Sequence, residues 1–159
     1  MTYEFVHHRR VEFFETDMAG IVHFSNYLRY MEMAEHDFLR SLGFSVNGRI
    51  DGVHVGWPRV HASCDYKAPL KFEDHVQIHV VLKTKRPRTL EYIHAIRRGE
   101  APDAPIVAVG RMIAVCVAVD DAGGFRAIEI PAPLASRLES APSGVAERYL
   151  EPMRARAPG

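Results

Sequence analysis

The chain has 159 residues, 47% of them hydrophobic, which suits one packed domain spanning 1–159. Its 20 basic and 20 acidic side chains cancel, so no global field draws the protein to nucleic acid or to an anionic membrane. No apolar run reaches the roughly 18 residues needed to cross a bilayer, and Met1 to Arg10 lacks the charged-then-apolar order of a secretory signal, so no membrane span and a cytoplasmic location are expected.

Residues 3–14, with Phe5, Val11, Phe13 and Phe14 around His7, His8, Arg9 and Arg10, read as a strand. It leads into a tight loop in which Asp17, Ala19 and Gly20 form a turn, because Gly reaches backbone angles other residues avoid and Asp bonds its own main chain there. Ser25 and Asn26 are candidate caps for a long helix. From Tyr27 onward Leu28, Met31, Ala34, Phe38, Leu39 and Leu42 recur at three- and four-residue spacing, an apolar stripe that Gly43 ends. Phe44 to Pro58, with three glycines and Trp57, reads as a loop, a candidate mobile lid.

Arg59 to Tyr66 alternates as a half-buried strand, Val60, Ala62 and Cys64 opposing His61, Ser63 and Asp65. After the turn Lys67 to Asp74, Val76 to Leu82 alternates again; Lys83 to Thr89 reverses the chain with four basic residues, and 90–97 forms the next strand. Ile106 to Val119 is the longest apolar run, read as one strand buried on both faces, with Gly110 marking a bulge. Asp120 to Gly124 is a turn, residues 134–138 make at most a short helix, and the remaining end, rich in Ala, Pro and Arg, is expected to be loosely ordered, leaving a core of about 3–138. Cys64 and Cys116 lack CxxC spacing and read as reduced thiols. The sum is an α+β arrangement, one helix packed on one antiparallel sheet.

Asp17 and the helix start are the candidates for chemistry, beside the plainer reading of Asp17 as a turn residue or helix cap. Unpaired N–H groups at a helix start stabilise negative charge developing on a carbonyl oxygen, and an adjacent carboxylate serves as nucleophile or as the base that activates water. The histidines offer no metal spacing: His75 and His79 share a strand face but lie about 13 Å apart at the usual rise. No metal is expected.

The stretch Val11 to Glu35, closing with Phe38-Leu-Arg-Ser-Leu-Gly43, resembles the signature of the 4-hydroxybenzoyl-CoA thioesterase branch of hotdog-fold enzymes, and Asp65 to Asp74 is similar to a second block of that family. The resemblance implies a hotdog fold, a five-stranded antiparallel sheet wrapped around one long central helix, and hydrolysis of an acyl-CoA thioester at sites shared between subunits of a homodimer or homotetramer. Asp17 matches the family's catalytic aspartate, and the carbonyl-polarising backbone N–H falls on Phe24. Tyr27 matches the aromatic at the helix start, and Glu32 a structural glutamate. Many relatives place a His or Tyr seven residues after the aspartate; here Phe24 stands there and His23 one place earlier, so His23 is a catalytic candidate of unassigned role. Gly20, Asn26, Tyr27, Ser63 and Tyr66 are candidates for the substrate pocket, and Lys83, Lys85, Arg86 and Arg88 for the CoA phosphates. CoA belongs to the substrate, so no separate cofactor is expected; acyl carrier protein is an alternative donor. Rival readings are a hotdog enoyl-thioester hydratase or dehydratase and a non-catalytic acyl-thioester binding module.

Overall fold

The computed structural model describes residues 1–154. A five-stranded antiparallel sheet has the order β1-β5-β6-β7-β4, formed by β1 (Glu4–Arg10), β4 (Arg59–Tyr66), β5 (His75–Lys85), β6 (Thr89–Arg98) and β7 (Ile106–Val115). One helix, α1 (Ser25–Ser41), packs on its inner face. Most of the stripe read from the sequence lies on the buried side of α1, where Met31, Ala34 and Phe38, joined by Tyr30, lose all solvent contact against Val76, Ile78, Val80 and Leu82 of β5 and their neighbours; Leu28 of that stripe is exposed. Those β5 residues alternate, as one face of a pleated strand requires. Gly43 takes φ +83° just past the helix, the left-handed stop expected of it.

A second sheet, absent from the sequence reading, has the order β2-β3-β8-β9. It is built from β2 (Gly48–Ile50), β3 (Val53–Gly56), β8 (Val117–Val119) and β9 (Phe125–Ala127). The supposed lid 44–58 therefore contains a hairpin, turned by Asp51 (φ +49°) and Gly52 (φ +78°). An Asp-Gly pair between Ile50 and Val53 is a strong short-range hairpin signal. The apolar run 106–119 is two strands rather than one: the chain leaves the large sheet at Cys116 and joins the small one as β8. Cys116 is held at that step by its N–H on the Arg88 carbonyl (2.8 Å) and by its own carbonyl, which accepts from Ile128 N–H (2.9 Å).

Gly110 is no bulge. It sits in regular register opposite Cys64 and His94. A Cβ there would lie 1.9 Å from Met31 Sδ, so glycine is present because α1 comes down onto β7 at this point. The outer face of the sheet is covered in part by residues beyond α2 (Ala132–Ala135), where Ala146 and Tyr149 are buried against Val81, Ile93, Ala95 and Val109. Tyr149 belongs to α3 (Glu147–Arg154), and its hydroxyl meets His79 Nδ1 at 2.9 Å. The last part of the expected loose end, 155–159, lies outside the described residues. No helix among the described residues is long and apolar enough to cross a membrane. Both cysteines are free thiols, Cys116 buried and Cys64 half-buried.

Candidate active site

A one-turn 3-10 helix, Phe13–Glu15, follows β1 and delivers the chain to the Asp17 loop. The loop closes on itself. Asp17 N–H donates to the Ile21 carbonyl and Gly20 N–H to the Asp17 carbonyl, both at 2.9 Å, and Asp17 Oδ1 accepts from Ala19 N–H at 2.8 Å. Gly20 takes φ +74°, the turn conformation that the sequence anticipates. Its N–H is used within the loop, so Gly20 shapes the site without lining it. Asp17 itself is exposed, with one carboxylate oxygen held by the loop.

The helix start lies beside it. Phe24 occupies the N-cap position with helical angles and no side-chain cap, so the expected caps Ser25 and Asn26 are already within the helix. Asn26 N–H donates to the His23 carbonyl and Tyr27 N–H to the Phe24 carbonyl. The Phe24 N–H has no hydrogen-bond acceptor among the described residues. Asn26 is buried, and its side-chain amide donates to the Glu15 carbonyl at 2.8 Å; it pins the loop to the helix and is not offered to a ligand. His23 is exposed, its Nδ1 lying 2.8 Å from Ser25 Oγ and its ring against that of Phe24, so it is engaged with the helix start. Glu32 is on the exposed side of α1, 3.7 Å from His36.

Asp17, Phe24, Tyr27, Tyr66, Lys67 and Pro69 surround a cleft of about 430 Å³ with mostly apolar walls. Tyr66 reaches it from the end of β4, and its hydroxyl donates to the Phe24 carbonyl at 3.0 Å, joining the sheet edge to the helix start. The two tyrosines meet edge to face at 5.0 Å. Partial burial and the neighbouring Cys64 push the Tyr66 phenol up to about 12, and burial raises that of Tyr27, so both remain neutral donors at physiological pH. Ser63 is not in the cleft. Three residues before Tyr66, it points to the opposite face of the strand, 3.0 Å from His61 Nε2.

The basic hairpin divides. Lys85 Nζ donates to the carbonyls of Ala135 (2.7 Å) and Leu138 (2.6 Å) and is committed to holding the chain after α2. Lys83 pairs with Glu91 at 3.2 Å. Arg86 and Arg88 are exposed at the tip. Tyr66 aligns with Ala108 and Ile96, whereas the tip begins at Thr89, seven positions along β6, or roughly 23 Å away. Within one chain these arginines stand at the other end of the sheet from Asp17. Among the described residues no group of three or more His, Cys, Asp or Glu is placed to hold a metal ion.

The apolar wall residues Ile21, Val22, Ala68 and Pro69 escaped the sequence reading, and so did two polar ones. Lys67 lines the cleft, though its place in a polar turn gave no hint of that. Glu15 is buried, and its carboxylate accepts from Arg9 Nη2 (2.5 Å), Tyr30 Oη (2.7 Å) and Glu12 N–H (2.8 Å). The spacing of Glu12 and Glu15 is that of a capping box, a signal legible in the sequence.

An antiparallel sheet carrying a helix, with an aspartate turn at the helix start, defines the class: a hotdog-like thioesterase fold. The chain belongs to the thioesterase-like superfamily, whose model matches residues 11–138. It is 28% identical over 127 residues to a 4-hydroxybenzoyl-CoA thioesterase from Pseudomonas sp. strain CBS-3, covering 78% of this chain and 89% of that one. It is 34% identical over 93 residues to a 1,4-dihydroxy-2-naphthoyl-CoA hydrolase from Synechococcus sp. strain CC9902, covering 55% and 62%. The solved structure of BH1999 gentisyl-coenzyme A thioesterase superposes with a TM-score of 0.70 at 33% identity, covering 82% of this chain and 98% of that one. The chain spans about six-tenths of the length of the first curated relatives it matches. These named relatives are thioester hydrolases.

Proposed function

We propose that the protein is an acyl-CoA thioesterase that hydrolyses an acyl-CoA thioester to the free acid and CoA. The observation that carries this reading is the shared cleft: the Asp17 carboxylate, and an α1 start whose Phe24 N–H has no acceptor among the described residues. In the nucleophilic route Asp17 attacks the thioester carbon, the carbonyl oxygen takes the negative charge against the Phe24 N–H, and the tetrahedral species expels CoA thiolate. Water then hydrolyses the resulting anhydride. In the alternative route Asp17 removes a proton from water as that water attacks. The aromatic and apolar walls suit an aryl acyl group, the class named in the relatives.

The reading takes the five-stranded sheet as wrapped around α1 and takes a second copy as pairing along β4, which has a sheet neighbour on one side only, to give a homodimer or homotetramer. The exposed Val60 and Tyr66 on that strand favour such pairing. It also places the protein in the cytoplasm, where free thiols such as Cys64 and Cys116 persist. Acyl carrier protein remains the alternative carrier. His23, turned to Ser25, lends no support to the hydratase reading.

The test is a screen of aryl- and alkyl-CoA thioesters followed by Asp17→Asn and Asp17→Ala. Both variants are expected to fold and assemble as the parent does while losing about 10²–10⁴ in kcat. Near-normal turnover by a folded Asp17→Asn protein overturns the assignment.

A further inference from the structure

The most heavily bonded polar side chain near the cleft does not touch it. Glu15 stands two residues before Asp17 and uses both its ends. Its carboxylate, almost removed from solvent, is gripped by Arg9 of β1, Tyr30 of α1 and the Glu12 N–H. Its backbone carbonyl accepts from His23 N–H (2.9 Å) and from the Asn26 side-chain amide (2.8 Å). The carboxylate thus fastens the loop's entry to strand and helix, and the carbonyl fastens its exit, one residue before Phe24. Thr16 and Val22 pair as an isolated antiparallel bridge just inside these two points, so the Asp17 turn hangs from a frame closed at Glu15.

We propose that Glu15 is the positioning residue of this site, fixing the Asp17 carboxylate relative to the Phe24 N–H. The inference rests on the catalytic reading of Asp17 and Phe24. Its physical basis is that reactive groups must be held to within a fraction of an ångström, and side chains locked by packing and hydrogen bonds supply that hold. The three donors around the carboxylate are fixed in kind. Arg9 is always charged, its guanidinium 4.1 Å from the centre of the Tyr30 ring, and burial keeps the Tyr30 phenol protonated. Such a constellation accepts only an ionised carboxylate without leaving a buried donor unpaired. Glu15→Gln keeps the volume and presents an amide N–H₂ to one of those donors, so the loop must shift while the cleft walls stay in place.

The experiment measures kcat and KM for Glu15→Gln, Tyr30→Phe and Asp17→Asn with 4-hydroxybenzoyl-CoA or the best aryl-CoA from the screen, alongside circular dichroism at the assay temperature. Expected are a fall of at least 30-fold in kcat for Glu15→Gln with KM within threefold, and a fall of about 3- to 10-fold for Tyr30→Phe, which removes one of the three donors. Merely structural damage would scale activity with the folded fraction; a full-strength fold with depressed kcat is the signature of lost positioning. A folded Glu15→Gln protein with kcat within twofold of the parent overturns the inference. If Glu15→Gln does not fold, Tyr30→Phe decides: unchanged kcat sinks the proposal and a selective kcat loss supports it. If Asp17→Asn retains full turnover, the catalytic reading itself fails; if it is inactive while Glu15→Gln is fully active, only the positioning role fails.

Discussion

Replacing Gly110 by alanine tests how tightly α1 is seated on the sheet. The added Cβ would stand 1.9 Å from Met31 Sδ and 2.8 Å from its terminal methyl, where van der Waals contact needs about 3.5–4.0 Å, so the thioether must retreat by well over an ångström. Met31 has no exposed surface to retreat into, and Ser63's carbonyl, 3.4 Å from the new methyl, blocks the strand from yielding sideways. Overpacking of this kind costs about 1–3 kcal/mol. For a chain of this length that lowers Tm by roughly 4–8 °C at the middle of the range. Thermal unfolding at fixed protein concentration measures it. A companion Met31→Ala variant creates a cavity of its own, but Gly110→Ala added to that background should be close to neutral, because the clashing atoms are gone. A Tm within 1 °C of the parent, or an equal loss in both backgrounds, would refute the close-approach argument.

Other consequences are as direct. Glu35 is buried and joined to Arg59, with His94 Nε2 3.1 Å from its other oxygen; Glu35→Ala removes the guanidinium's ion partner and leaves it the Trp57 carbonyl, and urea unfolding should show a loss near the lower end of ~3–5 kcal/mol, since Arg59 also keeps some solvent contact. For Glu91, burial alone would raise the carboxyl, but Arg111 and Lys83 outweigh it and hold the group below its ordinary 4.5. A depressed carboxyl contributes stability that is present above 4.5 and is lost as pH falls through the lowered value, so Glu91→Gln should flatten the acid limb of the stability profile below pH 4.5. Burial pushes the Cys64 and Cys116 thiols up to about 11, so iodoacetamide at pH 8 should label neither in the native protein and both after unfolding, as read by mass spectrometry.

The large sheet and α1 were legible because their periodicities are long and unmixed: Val76, Ile78, Val80 and Leu82 alternate, and Tyr27 to Leu39 recurs at helical spacing. The Asp17 turn was legible because its chemistry is local, one Gly at positive φ and one Asp bonding its own backbone. What depends on distant partners was not. Lys85 reads as a free cation until Ala135 and Leu138 bring their carbonyls to it. Asn26 reads as a helix cap and Glu15 as one half of a capping box; only the folded chain brings the amide of one to the carbonyl of the other. The small sheet was missed although Asp51-Gly52 announced its first turn, because the glycines around it outweighed a three-residue strand.

The double hold on Cys116 bears on how the two sheets are coupled. Gripped from Arg88 on one flank and Ile128 on the other, and continuous with β7 and β8, this residue welds the small sheet to the end of the large one. The second half of segment 44–58 shares in that anchorage, since Val55 pairs with Ala118 and Gly56 with Val117: it is a strand of a sheet and not a free flap.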